Sequence, residues 1–368
     1  RFHTVNDAAP FLAEEFAATY HRFHGETLRG QRVLAPRWKR TLDAINANVG
    51  EAMGQLYVTR CFDPESKQQI GAIAETLRTS LRKRLEKNSW MSEETRRAAL
   101  AKLSALSFKI GYPERWRDLS ALATGRSSLY ANVLASRCFE LQQRVARIDQ
   151  PTDRSRWPMP PQSVNAGYDP QRNEIFFPAG ILASPFFDAA ADAPLNYGAI
   201  GAVIAHEMIH GYDDQGSRFS AAGRFENWWT PEDRARFEAL TARMIARFEG
   251  LSDDDPIDGR LTLGENVADF GGLAVAYDAM REAHRDADAD PMIDGYTREQ
   301  RFFFAWAMLW RQNLTLGEAR FRLQHDPHAP ASVRANAAPA NLLEYAKAFE
   351  CEPGDPMCAG TADRIDIW

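Results

Sequence analysis

Residues 197–210, YGAIGAVIAHEMIH, contain the strongest local signal in this sequence. His206 and His210 are four residues apart and therefore lie on one face of an α-helix, where two imidazoles can bind a single Zn²⁺ ion. Glu207 lies next to them and is placed to act on a water molecule bound to that ion. The apolar and small residues before His206 indicate a buried helix. The stretch therefore predicts a metal-binding helix inside a catalytic core.

A catalytic zinc site needs a third protein ligand and an open fourth position. One class of zinc enzymes has a glycine three residues and a histidine six residues after the second histidine, but this chain has Asp213 and Gly216 there. A glutamate of the thermolysin-like or aminopeptidase-like kind is also missing from the corresponding stretch NWWT, residues 227–230. The third ligand must therefore come from farther along the chain.

The segment GENVADFGG, residues 264–272, offers two carboxylates four residues apart on one helix face, with glycines that permit close helix approach. Glu265 is the candidate third ligand. Asp269 and Asp213 are candidates for the carboxylates that accept the far N–H of a ligating imidazole and so fix its tautomer. Each carboxylate alone is more typical of a solvated group or a helix cap. The assignment depends on their combination with the two histidines.

The composition excludes several classes of protein. The chain has 368 residues, of which 45% are hydrophobic and 26% charged, as is typical of a globular protein with about two domains. Its 44 Lys and Arg against 50 Asp and Glu give a net charge of −6, which lacks the basic footprint of a nucleic-acid-binding protein. No apolar run approaches the roughly 18 residues that span a bilayer. The four cysteines form no CxxC pair and indicate no compartment.

Helical periodicity dominates the first part of the chain. Apolar residues recur at three-to-four spacing over residues 42–57 and 70–85, and Ser92 followed by two glutamates predicts the N-cap of a third helix. A polar stretch then breaks the pattern. We therefore predict two domains, residues 1–125 and residues 126–368.

Strand patterns are scarce. The convincing ones cover residues 162–168 and 173–177, joined by a turn at Asp169 and Pro170, and predict a small hairpin or an edge strand. Further helices are predicted over residues 127–148, 195–212, 231–248, 264–284, 297–312 and 341–349. The fold is therefore predicted to be mainly α with a small β-sheet.

Four motifs, in this order along the chain, resemble those of the neprilysin-type zinc endopeptidases, a family that includes neprilysin, endothelin-converting enzyme and bacterial oligopeptidases. The motifs are VNA at 164–166 with NEIFFPAGIL at 173–182, HEMIHGYDD at 206–214 with NWWT at 227–230, GENVADFGG at 264–272, and HAPASVR at 328–334. A weaker likeness through the first third extends the resemblance over essentially the whole chain.

The resemblance implies a metal site and a reaction. His206, His210 and Glu265 would bind one zinc ion per chain, and Glu207 would be the general base. The implied activity is hydrolysis of peptide bonds in oligopeptides, on the amino side of hydrophobic residues. The implied fold is a zincin catalytic domain of the gluzincin, thermolysin-like type over residues 126–368, plus part of a helical lid domain over the residues before it.

The resemblance also implies supporting roles. Asp269 and Asp213 would hold the ligating histidines. Asp269 would also be one of the catalytic residues. His328 and Arg334 would stabilise the oxyanion and hold the carbonyl next to the scissile bond. Asn165 and the backbone of Ala166 would bind the substrate main chain. The apolar pocket for the residue after the scissile bond would be lined by Ile181, Phe186, Val203 and Trp310.

Family members are longer, and the additional part precedes Arg1. We therefore expect this chain to act with its own N-terminal half as a separate or nicked polypeptide, outside the cytoplasm of a bacterium, in the periplasm or secreted. Two alternatives stay open. One is a catalytically silent subunit for peptide binding or assembly, and the other is a maturation protease with a single peptide precursor as its substrate.

Overall fold

The computed structural model describes residues 2–251, 256–284, 291–352, 354–360 and 362–368. Arg1, at which the predicted lid portion begins, lies outside these ranges. Within them the protein is mainly helical and has one small sheet, as the sequence predicted. In the described part of the chain, no helix combines the length and the apolar character that crossing a membrane requires.

Helices outnumber strands along the described part of the chain. In chain order, the elements are α1 (Phe2–Ala8), α2 (Glu14–His21), α3 (Arg37–Cys61), α4 (Pro64–Lys87), α5 (Glu93–Ala105), β1 (Ser107–Gly111), α6 (Leu129–Val145), β2 (Gly167–Asp169), β3 (Glu174–Pro178), α7 (Ala193–Asn196), α8 (Ala202–Ile209), α9 (Pro231–Glu249), α10 (Leu263–Ala283), α11 (Arg298–Leu309), α12 (Leu316–His325), α13 (Ala331–Asn341) and α14 (Leu343–Ala348). Short 3₁₀ turns cover Ala9–Phe11 and Gly216–Arg218, and π-helical turns cover Arg22–Thr27 and Tyr197–Gly201.

The chain divides into two compact units, each built from separate stretches. The first unit consists of Arg1–Phe62, Tyr112–Ser163 and Asn313–Arg322, and the second consists of Asp63–Gly111, Val164–Gln312 and Leu323–Trp368. This division does not coincide with the predicted one at residue 125, because α4 packs on α8 and α10 of the second unit and α5 packs on α4. The periodicity of an amphipathic helix identifies its buried face but not the helix that it packs against.

The first unit is helical. Its longest helix, α3, changes direction at Val49, where φ is −135° and the backbone leaves the helical region. Pro161 packs on α3 so closely that a Cβ at Gly54 would lie 2.4 Å from its Cδ. Ser136 of α6 donates its hydroxyl to the carbonyl of Asn48 at 2.7 Å. Contacts of small residues therefore hold α3 to its neighbours.

The sheet lies in the second unit and has the order β1-β3-β2. Strand β2 runs antiparallel to β3, with Tyr168 opposite Ile175, so the predicted hairpin is confirmed in a shorter form. Strand β1 runs parallel to β3, with Phe108 opposite Ile175, and was not predicted. A parallel pairing joins segments that are distant in sequence, so no local turn signal marks it.

Most predicted helices are confirmed with boundaries shifted by a few residues. The N-caps predicted at Ser92 and Thr230 are present, because each side chain accepts the backbone N–H three residues ahead. The predicted helix 195–212 is a succession of α7, a π-helical turn and α8. Helices α12 and α13 were not predicted. Pro339 lies inside α13, and such an interior proline argues against a helix in sequence.

Candidate metal centre

Helices α8 and α10 carry the residues predicted to bind metal. His206 lies on α8, and His210 is the C-cap residue that directly follows its last residue, Ile209. Glu265 lies in the first turn of α10. Gly272 allows α10 to approach the backbone of α8, because a Cβ there would lie 2.6 Å from the amide nitrogen of His206. This close helix packing brings the glutamate to the histidine face.

The three side chains converge on one point. The Nε2 atoms of His206 and His210 are 2.9 Å apart, and Glu265 Oε2 lies 3.2 Å from the first and 3.6 Å from the second. Among the described residues, this is the one cluster of three His, Cys, Asp or Glu side chains placed to hold a metal ion. The structure thus brings together the three residues predicted as ligands.

A carboxylate holds each imidazole from behind. His206 Nδ1 donates to Asp269 Oδ1 at 2.8 Å, and His210 Nδ1 donates to Asp213 Oδ2 at 2.6 Å. Because an ionised carboxylate only accepts hydrogen bonds, we assign the ring proton of both histidines to Nδ1. Each Nε2 is then left with a lone pair that faces the other. Imidazoles that bind metal ions have this arrangement.

The donor set fits a zinc ion. Two imidazole lone pairs and a carboxylate oxygen repel one another at such short distances unless a cation lies among them. Glu265 Oε2 is buried and accepts no hydrogen bond of adequate geometry. Ligands about 2.0–2.2 Å from a tetrahedral zinc ion are roughly 3.3–3.6 Å apart. The observed separations of 2.9, 3.2 and 3.6 Å are close to that range.

The carboxylates also set the proton affinity of the site. Burial acts to lower the pKa of His206 and His210, but hydrogen bonds to Asp269 and Asp213 raise it above the usual value in both. Burial acts to raise the pKa of Glu265, but the neighbouring imidazoles hold it well below its usual range. The centre is therefore built around an ionised Glu265, and protons compete with a metal ion for the imidazoles.

Glu207 follows the first histidine on α8 and is only 7% exposed. Burial raises the pKa of its carboxyl group, while the charges of His210 and His206 lower it in part. A general base works best when its pKa lies near the working pH, so the raised pKa suits that role.

His328 lies three residues before α13 and reaches the same centre. Its Nε2 is 3.2 Å from Glu265 Oε2, and its Nδ1 bonds Asp326 Oδ1 at 2.7 Å. The side chain is 45% exposed, the most accessible of those around Glu265. Burial acts to lower the pKa of His328, but the carboxylates of Glu265 and Asp326 raise it. The protonated ring donates from both nitrogens, which places an N–H donor beside the predicted ligands on the solvent side.

Arg334, on α13, lies behind His206. Its Nε and Nη2 donate to the two oxygens of Asp269, both at 2.7 Å, and its guanidinium lies 3.9 Å from the ring centroid of Trp310. Burial acts to raise the pKa of Asp269, but the charge of Arg334 keeps it below its usual range. The arginine therefore acts on the histidine through Asp269.

The residues predicted to bind substrate are spread over several elements of the second unit. Asn165 is exposed and, with Ala166, directly precedes the edge strand β2. Val203 lies one turn before His206 on α8, and Trp310 stacks on Arg334. Of the four predicted pocket residues, Ile181 is buried, while Phe186, Val203 and Trp310 are partly exposed.

Lys102 was missed by the sequence reasoning. It is buried on α5, beside the loop that follows α8. A signal was present, because Lys102 continues the helical spacing of the buried Thr95, Ala99 and Leu103. A lysine on the apolar face of a helix is rare unless its amine has partners.

Sequence and structure comparisons identify relatives. Two sequence profiles, both described as peptidase family M13, match residues 165–365 and residues 1–113. A neutral endopeptidase of Lactobacillus helveticus is 34% identical over 368 residues, which cover 99% of this chain and 55% of that protein. Endothelin-converting enzyme 1 of Mus musculus is 33% identical over 375 residues, and the match covers 99% of this chain and 48% of that protein.

A solved structure is also similar. The crystal structure of Mycobacterium tuberculosis zinc metalloprotease Zmp1 in complex with an inhibitor matches with a TM-score of 0.96 and 39% identity, over 100% of this chain and 56% of that chain. The chain thus spans about half the length of the relatives that it matches.

Proposed function

The chain belongs to peptidase family M13, and on this premise we propose that it is the zinc-binding part of an endopeptidase that hydrolyses oligopeptides. One observation carries the proposal. The Nε2 atoms of His206 and His210 converge with Glu265 Oε2, and carboxylates hold both Nδ1 atoms. His206, His210 and Glu265 would hold one zinc ion per chain, and Glu207 lies beside them.

Zinc would supply a Lewis acid that polarises the scissile carbonyl and acidifies a water molecule. Glu207 would accept the proton of that water and pass it to the leaving amine. Its burial and its position next to His206 support this assignment. The negative charge that develops on the carbonyl oxygen would be stabilised by His328, whose exposed imidazole faces the centre, and by the positive charge of Arg334.

The peptide would bind along the edge of the sheet. Strand β2 is an outer strand in the order β1-β3-β2, so among the described residues one of its edges has no strand partner. An extended peptide would add to the sheet at this edge. The exposed Asn165 and the backbone of Ala166 would bind the substrate main chain at the start of this edge. Apolar side chains would receive the residue after the scissile bond, which gives cleavage on the amino side of hydrophobic residues. These side chains are Ile181, Phe186, Val203 and Trp310.

An upstream polypeptide is the proposed partner. The relatives are about twice as long as this chain, and helices of the first unit expose large apolar residues such as Trp38, Leu56 and Leu141. Exposed apolar surfaces of this kind mark contacts with further protein. Co-expression with the upstream half should yield a complex that gel filtration detects. The chain in such a complex would act outside the bacterial cytoplasm, which cell fractionation would test.

The proposed function is tested by zinc content and by cleavage of a quenched fluorescent peptide, with and without the upstream half. We expect one zinc ion per chain and cleavage that a chelator abolishes. Glu207→Gln should keep the zinc and lose activity by about 10²–10⁴-fold, whereas Glu232→Gln, in the first turn of α9, should change neither. Stoichiometric zinc without cleavage in either preparation would overturn the peptidase assignment and favour a silent binding subunit.

A further inference from the structure

Lys102 is a buried lysine whose amine has two backbone partners. The residue lies on α5 and is 1% exposed. Its Nζ donates to the carbonyl oxygens of Gly216 at 2.7 Å and Phe219 at 2.6 Å. Both carbonyls belong to the loop that follows α8. The lysine therefore ties α5 to this loop within the second unit.

Aromatic rings surround the amine. Nζ lies 5.8 Å from the ring centroids of Tyr168 and Tyr212 and 5.7 Å from that of Trp228. No carboxylate forms an ion pair with this amine among the residues that the structure describes. Burial lowers the pKa of Lys102 to about 7, although the charge of Asp213 acts to raise it. An amine has N–H donors in either protonation state, so both carbonyls can be satisfied.

The loop connects Lys102 to the metal centre. The amide of Gly216 donates to Asp213 Oδ1 at 2.6 Å, and the amide of Gln215 donates to the same oxygen at 2.8 Å. The other oxygen of Asp213 accepts from His210 Nδ1 at 2.6 Å. A continuous chain of hydrogen bonds thus runs from the amine through Gly216 and Asp213 to a predicted ligand.

The loop is also packed tightly against the end of α8. A Cβ at Gly216 would lie 1.7 Å from the carbonyl oxygen of His210, so the loop backbone has little room to shift. On its other side, Lys102 is connected to the edge strand β2. Asn173 Nδ2 donates to the Lys102 carbonyl at 2.9 Å, and the Tyr168 hydroxyl donates to Asn173 Oδ1 at 3.0 Å.

We propose that Lys102 is a positioning residue for the metal centre. Its amine fixes the loop of residues 213–219, and the loop fixes the Asp213 carboxylate that orients His210. The proposal rests on the proposed function in that His210 is taken to bind zinc. A methionine would fill the same space among the aromatic rings without the cost of burying an amine. What the lysine adds is the pair of hydrogen bonds to the loop.

The test compares zinc affinities, measured by competition with a chromogenic chelator. Lys102→Met should weaken zinc binding about 10-fold, as is typical when groups behind a ligand are removed. The matched control is Lys109→Met. Lys109 is a second poorly exposed lysine of this unit, but its Nζ pairs with Glu174 at 2.6 Å, on the sheet. The control should stay within about 2-fold of the original affinity.

Two further measurements separate positioning from a general loss of structure. With Co²⁺ in place of zinc, Lys102→Met should shift the visible absorption bands of the ion, and Lys109→Met should not. In a double-mutant cycle, Lys102→Met and Asp213→Ala together should cost no more affinity than Asp213→Ala alone, because both act on His210 by the same route. Additive losses would overturn the proposal.

A folding control accompanies these measurements. Circular dichroism of the metal-free variants shows which are folded, and if Lys102→Met is not, Lys102→Gln carries the same comparison with a shorter side chain. An unchanged zinc affinity in the folded variant would overturn the role of Lys102 while leaving the proposed function intact. Absence of zinc binding in the unaltered chain would instead overturn the proposed function, so the two failures are distinguishable.

Discussion

The two units differ in how completely they cover their apolar residues. In the second unit, α10 is buried along most of its length and α4 buries Leu77 and Leu81 completely. In the first unit, the 25-residue helix α3 buries only Ala44, Gly50 and Gly54. The metal centre therefore rests on a complete core. The first unit leaves large apolar residues exposed, among them Trp38, Leu56 and Leu141.

This difference predicts unequal responses to matched substitutions. The largest loss of stability should follow the removal of the partner of a buried charge. Arg334→Met would leave the Asp269 carboxylate, which is 3% exposed, without its bidentate partner, at a cost of about 3–5 kcal/mol. Arg117→Met, in the first unit, breaks the ion pair with the more exposed Glu140 and should cost about 1 kcal/mol or less. Urea denaturation of the metal-free variants measures both, and equal losses would remove the distinction between the units.

Leucine-to-alanine substitutions should also destabilise the second unit more than the first. Leu77→Ala on α4 removes a side chain with 0% exposure and should cost about 2–5 kcal/mol. Leu141→Ala on α6 removes one that is 62% exposed and should change the stability by about 0.5 kcal/mol or less. Thermal unfolding followed by circular dichroism provides the comparison. A large loss for Leu141→Ala would mean that this face already has a packing partner.

Glycine-to-alanine substitutions examine packing at single positions. Gly272→Ala places a Cβ against the backbone of His206 and should cost about 1–3 kcal/mol and weaken zinc binding. Gly54→Ala meets the ring of Pro161 and should cost less, because a loop residue can move. The control is Gly71→Ala on α4, whose Cβ would meet nothing within 4 Å and which should gain about 0.5–1 kcal/mol. If Gly54→Ala lowered the urea midpoint more than Gly272→Ala, that result would contradict a rigid second unit.

The smallest effect concerns pH. Although burial acts to raise it, hydrogen bonds from Ser92, Thr95 and Thr230 lower the pKa of Asp233 to about 2, below its usual value of 3.8. A lowered pKa contributes stability above pH 4 that is lost as the pH falls towards 2, on the order of 1–2 kcal/mol. Asp233→Asn lacks this contribution at every pH. The unaltered chain should therefore be more stable than the variant at pH 5, and the difference in free energy of unfolding should shrink as the pH falls to 2. A difference in free energy of unfolding that stays constant from pH 5 to pH 2 would contradict the lowered pKa of Asp233.

The cluster of His206, His210 and Glu265 was predictable because each of its two segments carries a specific local pattern. His206 and His210 follow from helix geometry alone, and the spacing of Glu265 and Asp269 suggested one helix face. The pairing of each carboxylate with a particular imidazole needed the structure. It depends on the contact between α8 and α10, which the sequence does not encode in any single segment.

Other features depend on long-range packing and were not predicted. Strand β1 pairs in parallel with a strand more than sixty residues later. Helices α4 and α5 belong to the second unit. This was not predicted, because side-chain periodicity does not identify the partner of a buried face. The helical spacing indicates that Lys102 is buried, but not what its amine binds, because its two acceptors are loop carbonyls and backbone acceptors leave no mark in the residue pattern.

Zinc-edge X-ray absorption of the zinc-loaded chain would show whether His206, His210 and Glu265 hold the ion. We predict a shell of nitrogen and oxygen ligands at about 2.0–2.2 Å with the scattering pattern of two imidazoles. The zinc signal should be lost in His210→Ala. The chain also has four free cysteines. A sulfur shell at about 2.3 Å, or full zinc retention by His210→Ala, would contradict the account.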